Sequence, residues 1–65
     1  MCLSTAYKNR KSPENIIMQK VMALECREGM VILTDLMERT FAVEGTLEKA
    51  DLVEGFVIIR EAKPE

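Results

Sequence analysis

Residues 24–36 read LECREGMVILTDL, two apolar segments on either side of a Glu-Gly pair. Glycine adopts positive φ without steric cost, so Gly29 is predicted to form the turn of a β-hairpin. The segment after this turn alternates between two faces, as a strand does. Both faces carry apolar residues, which is typical of a strand in a small closed barrel or beneath another subunit. The two faces are Met30, Ile32 and Thr34 on one side and Val31, Leu33 and Asp35 on the other.

The Glu-Gly pair recurs along the chain. Two further Glu-Gly pairs end at Gly45 and Gly55 and are also predicted to be turns. Between them lie segments rich in β-branched and aromatic residues, which suit a pleated surface. Short strands separated by such turn signals favour one antiparallel all-β domain over residues 1–65. The predicted strands are Cys2–Tyr7, Ile17–Glu25, Met30–Asp35, Thr40–Glu44, Leu47–Leu52 and Phe56–Glu61.

Residues 13–28, PENIIMQKVMALECRE, fit two structures. Ser12 and Pro13 could cap and open a helix, in which Ile16, Ile17, Val21 and Leu24 would share one face. The run nevertheless leads directly into the Gly29 turn, which favours a long hairpin strand. We therefore predict a strand, preceded by a helical turn after Pro13, and a polar loop over residues 7–15 (YKNRKSPEN).

Size and composition limit the class of protein. A 65-residue chain forms a marginal core on its own, and 48% of its residues are hydrophobic, so a homodimer is expected. The net charge of −2 provides no general attraction to phosphate. No apolar run approaches the ~20 residues of a membrane span, and charges begin at Lys8, unlike in a signal peptide. A cytoplasmic protein with reduced cysteines and no membrane association is predicted.

The sequence lacks the residues that most catalytic mechanisms require. The chain has no histidine, which excludes Ser-His-Asp and Cys-His catalysis and imidazole-bound zinc within one chain. A CxxC motif and a glycine-rich phosphate loop are also missing from the sequence. Two pairs of carboxylates, Asp35 with Glu38 and Glu48 with Asp51, are interpreted as solvated surface. The chain is therefore not predicted to be an enzyme.

Several apolar residues are predicted to pack in the core rather than to bind a ligand. Methionine in strand-like surroundings usually fills gaps in packing instead of binding a soft metal. Both phenylalanines also lie in apolar contexts. This set comprises Phe41, Phe56, Met18, Met22, Met30 and Met37.

Small β-barrels often bind RNA, which requires a basic surface with stacking aromatic residues. The basic cluster in this chain lies in one loop and includes Tyr7, Lys8, Arg10 and Lys11. A solvated loop is the preferred interpretation, and RNA binding through these four residues is kept as an alternative. A structural adaptor without a ligand is a second alternative.

The chain opens with MCLSTAY, which places a thiol next to the N-terminal amine. If Met1 is removed, the amine and thiolate of Cys2 can form a five-membered chelate around a metal. If Met1 is retained, its amine, the Cys2 amide and the thiolate can form two fused chelates. A two-fold axis would supply a second set, and planar nitrogen–sulfur donors favour Ni(II) or Cu(II). The alternative is that Cys2 is a small apolar residue entering the first strand.

The segments MCLSTAY, LECREGMVILTDL, VEG (43–45) and ADLVEGFVII (50–59) resemble the CooT family, small proteins associated with nickel insertion into carbon monoxide dehydrogenase. This resemblance implies a dimeric SH3-like barrel that serves as a nickel metallochaperone, with a nickel enzyme as client. It also implies that Ni(II) binds between subunits through Cys2, with the backbone nitrogens of Met1 and Cys2 as further donors.

Two features depart from the family pattern. The loop at residues 7–15 is longer and more basic than expected, and Cys26 is outside the motif. Cys26 is an alternative ligand, but a reduced structural thiol is the preferred interpretation.

Overall fold

A computed structural model describes residues 3–62 as a closed barrel of five strands. Neighbouring strands pair antiparallel in chain order, and β1 and β5 close the barrel in parallel. An odd number of alternating strands requires this parallel closure, because the first and last strands run in the same direction. The predicted all-β barrel is confirmed. The strands are β1 (Ser4–Lys8), β2 (Ile16–Arg27), β3 (Met30–Asp35), β4 (Thr40–Asp51) and β5 (Phe56–Glu61).

The core follows the alternation that the hairpin sequence predicts. In β3, Val31, Leu33 and Asp35 are buried, whereas the residues between them are half-buried. Burial of inward-facing side chains from β1, β2, β3 and β5 stabilises the fold through the hydrophobic effect. The buried apolar cluster consists of Ala6, Val21, Val31, Leu33, Val57 and Ile59.

The predicted helical turn followed by a strand is confirmed for residues 13–27. A single 3₁₀ turn covers Pro13–Asn15, with the Asn15 N–H donating to the Ser12 carbonyl at 2.9 Å, and β2 begins at Ile16. The first part of β2 pairs with β1 and the second part with β3. Lys20, with a φ of 57°, stands where the partner changes, and the pairing with β3 shifts just beyond it. β2 therefore bends in the middle, and this bend lets one strand pair with both β1 and β3.

The prediction of a turn at Gly45 is wrong. The segments Thr40–Glu44 and Leu47–Leu52 form one continuous strand, β4, and Gly45 lies inside it. A Cβ at this position would overlap the Arg60 carbonyl oxygen and lie 3.0 Å from the Arg60 carbonyl carbon. Glycine is required here for close approach of β5. The other two glycines do form turns, with φ values of 69° at Gly29 and 86° at Gly55.

The structure also corrects several predicted environments. Phe56 is buried as expected, but Phe41 is 52% exposed. Phe41 pairs with the buried Leu33 and faces the same side of the sheet, yet it lies at an open part of the barrel where it lines a groove with Ile17. Met22 and Met37 are exposed on the surface, so the core assignment does not apply to them.

Among residues 3–62, no helix has the length and hydropathy needed to cross a bilayer.

Candidate metal site at the N-terminal strand

The predicted ligands Met1 and Cys2 lie outside the described residues, which begin at Leu3. The structure describes strand β1, which follows these two residues closely in the chain. β1 pairs with β2 on one edge and with β5 on the other, and Ala6 at its centre is fully buried. Strand pairing on both edges determines where the chain leaves the barrel at Leu3.

Leu3 lies beside the turn between β4 and β5. The Thr5 N–H donates to the Gly55 carbonyl at 3.0 Å, and the Leu3 carbonyl oxygen lies 3.5 Å from the position that a Cβ on Gly55 would take. These contacts depend on the parallel β1–β5 pairing, in which Thr5 is opposite Phe56. The residue next to Cys2 is therefore held against the turn at residues 51–55.

Hydrogen bonds to Asp51 hold this turn. Its side-chain Oδ1 accepts the N–H groups of Val53 at 3.1 Å and Glu54 at 2.8 Å, and its carbonyl accepts the N–H of Gly55 at 2.8 Å. Aspartate commonly stabilises turns in this way. The turn exposes two consecutive apolar side chains, Leu52 (77% exposed) and Val53 (92%). The predicted strand Leu47–Leu52 is therefore one residue too long, since β4 ends at Asp51. Asp51 followed by Gly55 is the sequence signal for the turn.

The sequence interpretation of Asp35 as part of a solvated acidic surface is wrong. Asp35 is buried at the start of the β3–β4 turn. It is only 4% exposed. Its Oδ1 accepts the N–H groups of Met37 and Arg39, both at 2.9 Å, and its Oδ2 accepts the Arg39 Nε at 2.9 Å. The Arg39 backbone N–H is the main reason why the pKa of Asp35 lies below its ordinary value. These three hydrogen bonds to the Asp35 carboxylate stabilise the β3–β4 turn.

Two other carboxylates of the predicted acidic pairs, Glu48 and Asp51, have partners as well. Glu48 forms an ion pair with Arg60 at 2.8 Å on the barrel surface, and Asp51 accepts the hydrogen bonds of the β4–β5 turn. In the part of the chain that the structure describes, no group of three or more cysteine or acidic residues is placed to hold a metal ion.

The candidate RNA-binding residues make contacts within the protein. Tyr7 packs edge-on against Phe56 with 6.3 Å between ring centroids, and the Lys11 Nζ lies 4.4 Å from the centroid of the same ring. Lys8 lies 3.8 Å from Glu61 in an ion pair. Arg10 is exposed in the same loop. An aromatic residue that packs edge-on against another ring has less of its surface available for base stacking, so this contact argues against RNA binding through Tyr7. The predicted loop over residues 7–15 is shorter than expected, because Tyr7 and Lys8 belong to β1.

Cys26 is an exposed free thiol in β2, opposite Val31. The interpretation of this residue as a packed structural thiol is therefore wrong. Its neighbours Glu25 and Arg27 form an ion pair with each other at 2.8 Å. Cys26 is five residues along β2 from Val21, the partner of Ser4, which corresponds to about 17 Å of extended strand.

Comparison with known proteins identifies the family. The family model of the CO dehydrogenase accessory protein CooT matches residues 1–60. This chain belongs to the CooT family. The match includes the Met1-Cys2 start and all but the last residue of β5.

A solved structure supports the CooT fold. The crystal structure of a CooT candidate from Carboxydothermus hydrogenoformans superposes with a TM-score of 0.81 at 14% sequence identity. The alignment covers 95% of this chain and 100% of that chain. At this identity the likeness concerns the fold alone. No curated protein sequence matches this CooT chain.

Proposed function

We propose that this CooT protein binds Ni(II) as cargo for a CO dehydrogenase, using Cys2 thiolates from two chains to hold one ion. The observation that carries the proposal is the match to the CO dehydrogenase accessory family over residues 1–60, a range that includes Cys2. The protein holds and passes on the metal, and no catalytic step is assigned to it.

The chemistry of the N-terminus supports nickel as the cargo. A thiolate with a backbone nitrogen on the same residue forms a compact nitrogen–sulfur chelate, and such donors in a plane suit Ni(II). The support is a strand paired on both edges, with Leu3 held beside Gly55. Two chains together supply two thiolates and the adjacent nitrogens, including those of Met1 where it is retained.

Nickel affinity is expected to depend steeply on pH. An ordinary cysteine thiol has a pKa of about 8.5, so binding two thiolates near neutral pH releases about two protons. The two thiolates alone then lower the apparent affinity by about 100-fold for each pH unit below that pKa, and nitrogen donors that lose protons make the fall steeper. An affinity that stays constant between about pH 8 and pH 5 would contradict a thiolate site.

The test is nickel titration of the wild type, Cys2→Ser and the matched control Cys26→Ser, followed by visible absorption and native mass spectrometry. We expect one nickel per two chains and thiolate-dependent absorption bands in the wild type and in Cys26→Ser. We expect both signals to disappear in Cys2→Ser. Equal binding by the wild type and Cys2→Ser would refute the proposal.

A further inference from the structure

The first part of β2 and the start of β4 face each other across an open groove in the barrel. Ile16 and Ile17 line one wall, and Phe41, which is 52% exposed, lines the other. β5 pairs with β4 only from Gly45 onward, so residues 40–43 have one edge that no described strand covers. An uncovered strand edge beside apolar side chains suits the binding of an extended peptide. We propose that this groove binds an extended segment of a partner protein in which apolar residues follow a basic residue and precede an acidic one.

Backbone groups of β4 point into the groove. The Glu44 carbonyl accepts the Ala62 N–H at 3.0 Å, on the edge of β4 that faces β5. The next residue, Gly45, donates its N–H to the opposite edge, to the Gly29 carbonyl at 2.9 Å. Because successive residues of a strand alternate between its two edges, the N–H and C=O of Ala42 lie on the same edge as the Glu44 carbonyl. A bound segment can therefore continue the ladder of β5 by pairing with Ala42, which lines the groove.

Phe41 and Val43 provide the apolar contact. Their partners in β3, Leu33 and Val31, are fully buried, so both side chains are on the inner face of the sheet. Val43 is half-buried against the core, whereas Phe41 is exposed toward the groove. Residues at every second position of a paired strand share one face. Two apolar residues at alternate positions of the bound segment therefore contact these two side chains.

One end of the groove is acidic. Glu14, Glu44 and Glu61 line this end together with Lys8, which pairs with Glu61 at 3.8 Å. In the described part of the chain, Glu14 and Glu44 have no ion-pair partner. These two carboxylates favour a basic residue of the bound segment at this end.

The opposite end of the groove is basic. Lys20 lines it and has no ion-pair partner among residues 3–62, and Arg39 lines it while paired with Asp35. β4 runs from this basic end toward the acidic end, from Thr40 to Glu44. A segment that continues β5 runs antiparallel to β4, so it passes the acidic end first. Its basic residue therefore precedes its acidic residue in sequence.

The groove lies apart from the N-terminal end of β1. Lys8 ends β1 and lines the groove, and it is about 16 Å along the strand from Leu3. A partner bound in the groove therefore leaves the region beside Leu3 uncovered. The inference does not depend on nickel, and it can be tested in EDTA.

The experiment is a titration of the isotope-labelled full chain with two capped peptides, followed by NMR. The first peptide, Lys-Val-Thr-Val-Glu, has the proposed order of charges and a length of about 17 Å, which matches residues 40–44. The second peptide exchanges its lysine and its glutamate. We expect the first peptide to shift the amide signals of Ile17 and Ala42 and to bind with a Kd of about 1 mM or lower. We expect the second peptide to bind about tenfold more weakly, because both of its charges then meet like charges.

Three variants assign the effect to the groove. Glu44→Lys combined with Lys20→Glu keeps the net charge and should reverse the preference between the two peptides, a result that misfolding cannot produce. Phe41→Ser should weaken binding of the first peptide by about tenfold. The matched control is Leu52→Ser, at an exposed apolar residue of the β4–β5 turn, and it should leave binding unchanged.

Several results would overturn the proposal. Equal affinity for the two peptides, or no shift at Ile17 and Ala42 with about 5 mM of the first peptide, would exclude the proposed partner segment. Binding that appears only after deletion of residues 63–65 would show that this chain fills its own groove. Loss of a dimer in Phe41→Ser, measured by sedimentation velocity, would show that a second copy covers the groove. All of these measurements are made in EDTA, so failure of nickel binding by Cys2 would not affect them.

Discussion

Substitution of Gly45 by alanine tests the close approach of β4 and β5. A Cβ there would overlap the Arg60 carbonyl oxygen, and it would lie 3.0 Å from the Arg60 carbonyl carbon and 3.2 Å from the Glu61 Cα. All three atoms belong to the backbone, so no side-chain rotation relieves the overlap. The two strands must separate by about 1 Å to restore ordinary contact distances.

The energetic cost follows from this separation. Overpacking of a rigid site costs about 3 kcal/mol at its upper range. Distortion of a neighbouring bond, such as Ala62 N–H to the Glu44 carbonyl at 3.0 Å, adds about 1 kcal/mol. Alanine also reduces the conformational entropy of the unfolded chain, which offsets about 0.7 kcal/mol of these costs. The free energy of unfolding is therefore expected to fall by about 3 kcal/mol. A 65-residue domain has only about 3–10 kcal/mol of stability in total.

The matched control is Gly29→Ala. Gly29 has a φ of 69° and no atom within 4 Å of an added Cβ, so only the left-handed backbone conformation opposes alanine there. This strain costs about 1–2 kcal/mol, and the reduced freedom of the unfolded chain offsets about 0.7 kcal/mol of it, which leaves about 1 kcal/mol. The assay is urea unfolding followed by circular dichroism, in EDTA at one protein concentration. With a slope of about 1 kcal/mol/M, the midpoint should fall by about 3 M for Gly45→Ala and about 1 M for Gly29→Ala. A Gly45→Ala midpoint equal to or above that of Gly29→Ala would refute the steric explanation.

Three further variants test the core, the β3–β4 turn and the site. Leu33→Ala, at a fully buried core position, should lower the free energy of unfolding by about 2–5 kcal/mol in the same assay. The pKa of Asp35 is lowered in the folded state, so its carboxylate contributes stability above its ordinary pKa of 3.8 that is lost as pH falls through the folded value. Asp35→Asn should therefore reduce the fall in melting temperature between pH 5 and pH 2. A fall in melting temperature equal to that of the wild type would contradict this role. Cys26→Ser should leave nickel stoichiometry at the wild-type value, and a halved stoichiometry would implicate Cys26 as a ligand.

Local patterns predicted those parts of the fold that depend on neighbouring residues. The alternation in residues 30–35 and the position of Gly29 define the central hairpin without reference to the rest of the chain. The three Glu-Gly pairs look alike in sequence, yet Gly45 is inside a strand. What distinguishes it is the approach of Arg60, fifteen residues later, and no local pattern contains that contact. Phe41 illustrates the same limit, because its exposure depends on where the barrel is open.

The ligand set of the candidate site stays a prediction from the sequence, because Met1 and Cys2 lie outside the described residues. Residue types at the N-terminus indicate a nitrogen–sulfur chelate, and the family resemblance singles out Cys2. The apolar pair at Leu52 and Val53 is also visible in the sequence. The position of the β4–β5 turn, through Gly55, beside Leu3 follows only from the parallel pairing of β1 with β5.

If the proposed function holds, a site shared between two chains explains how the protein both holds nickel and gives it up. In that arrangement two thiolates bind one ion, but each chain supplies only one of them. Separation of the chains then removes half of the thiolates, so a client that binds one N-terminal segment weakens nickel binding through linkage without displacing every ligand. On this reasoning, release of nickel to a competing chelator should be faster at low protein concentration, where the chains separate. A release rate that does not depend on protein concentration would contradict a site shared between chains.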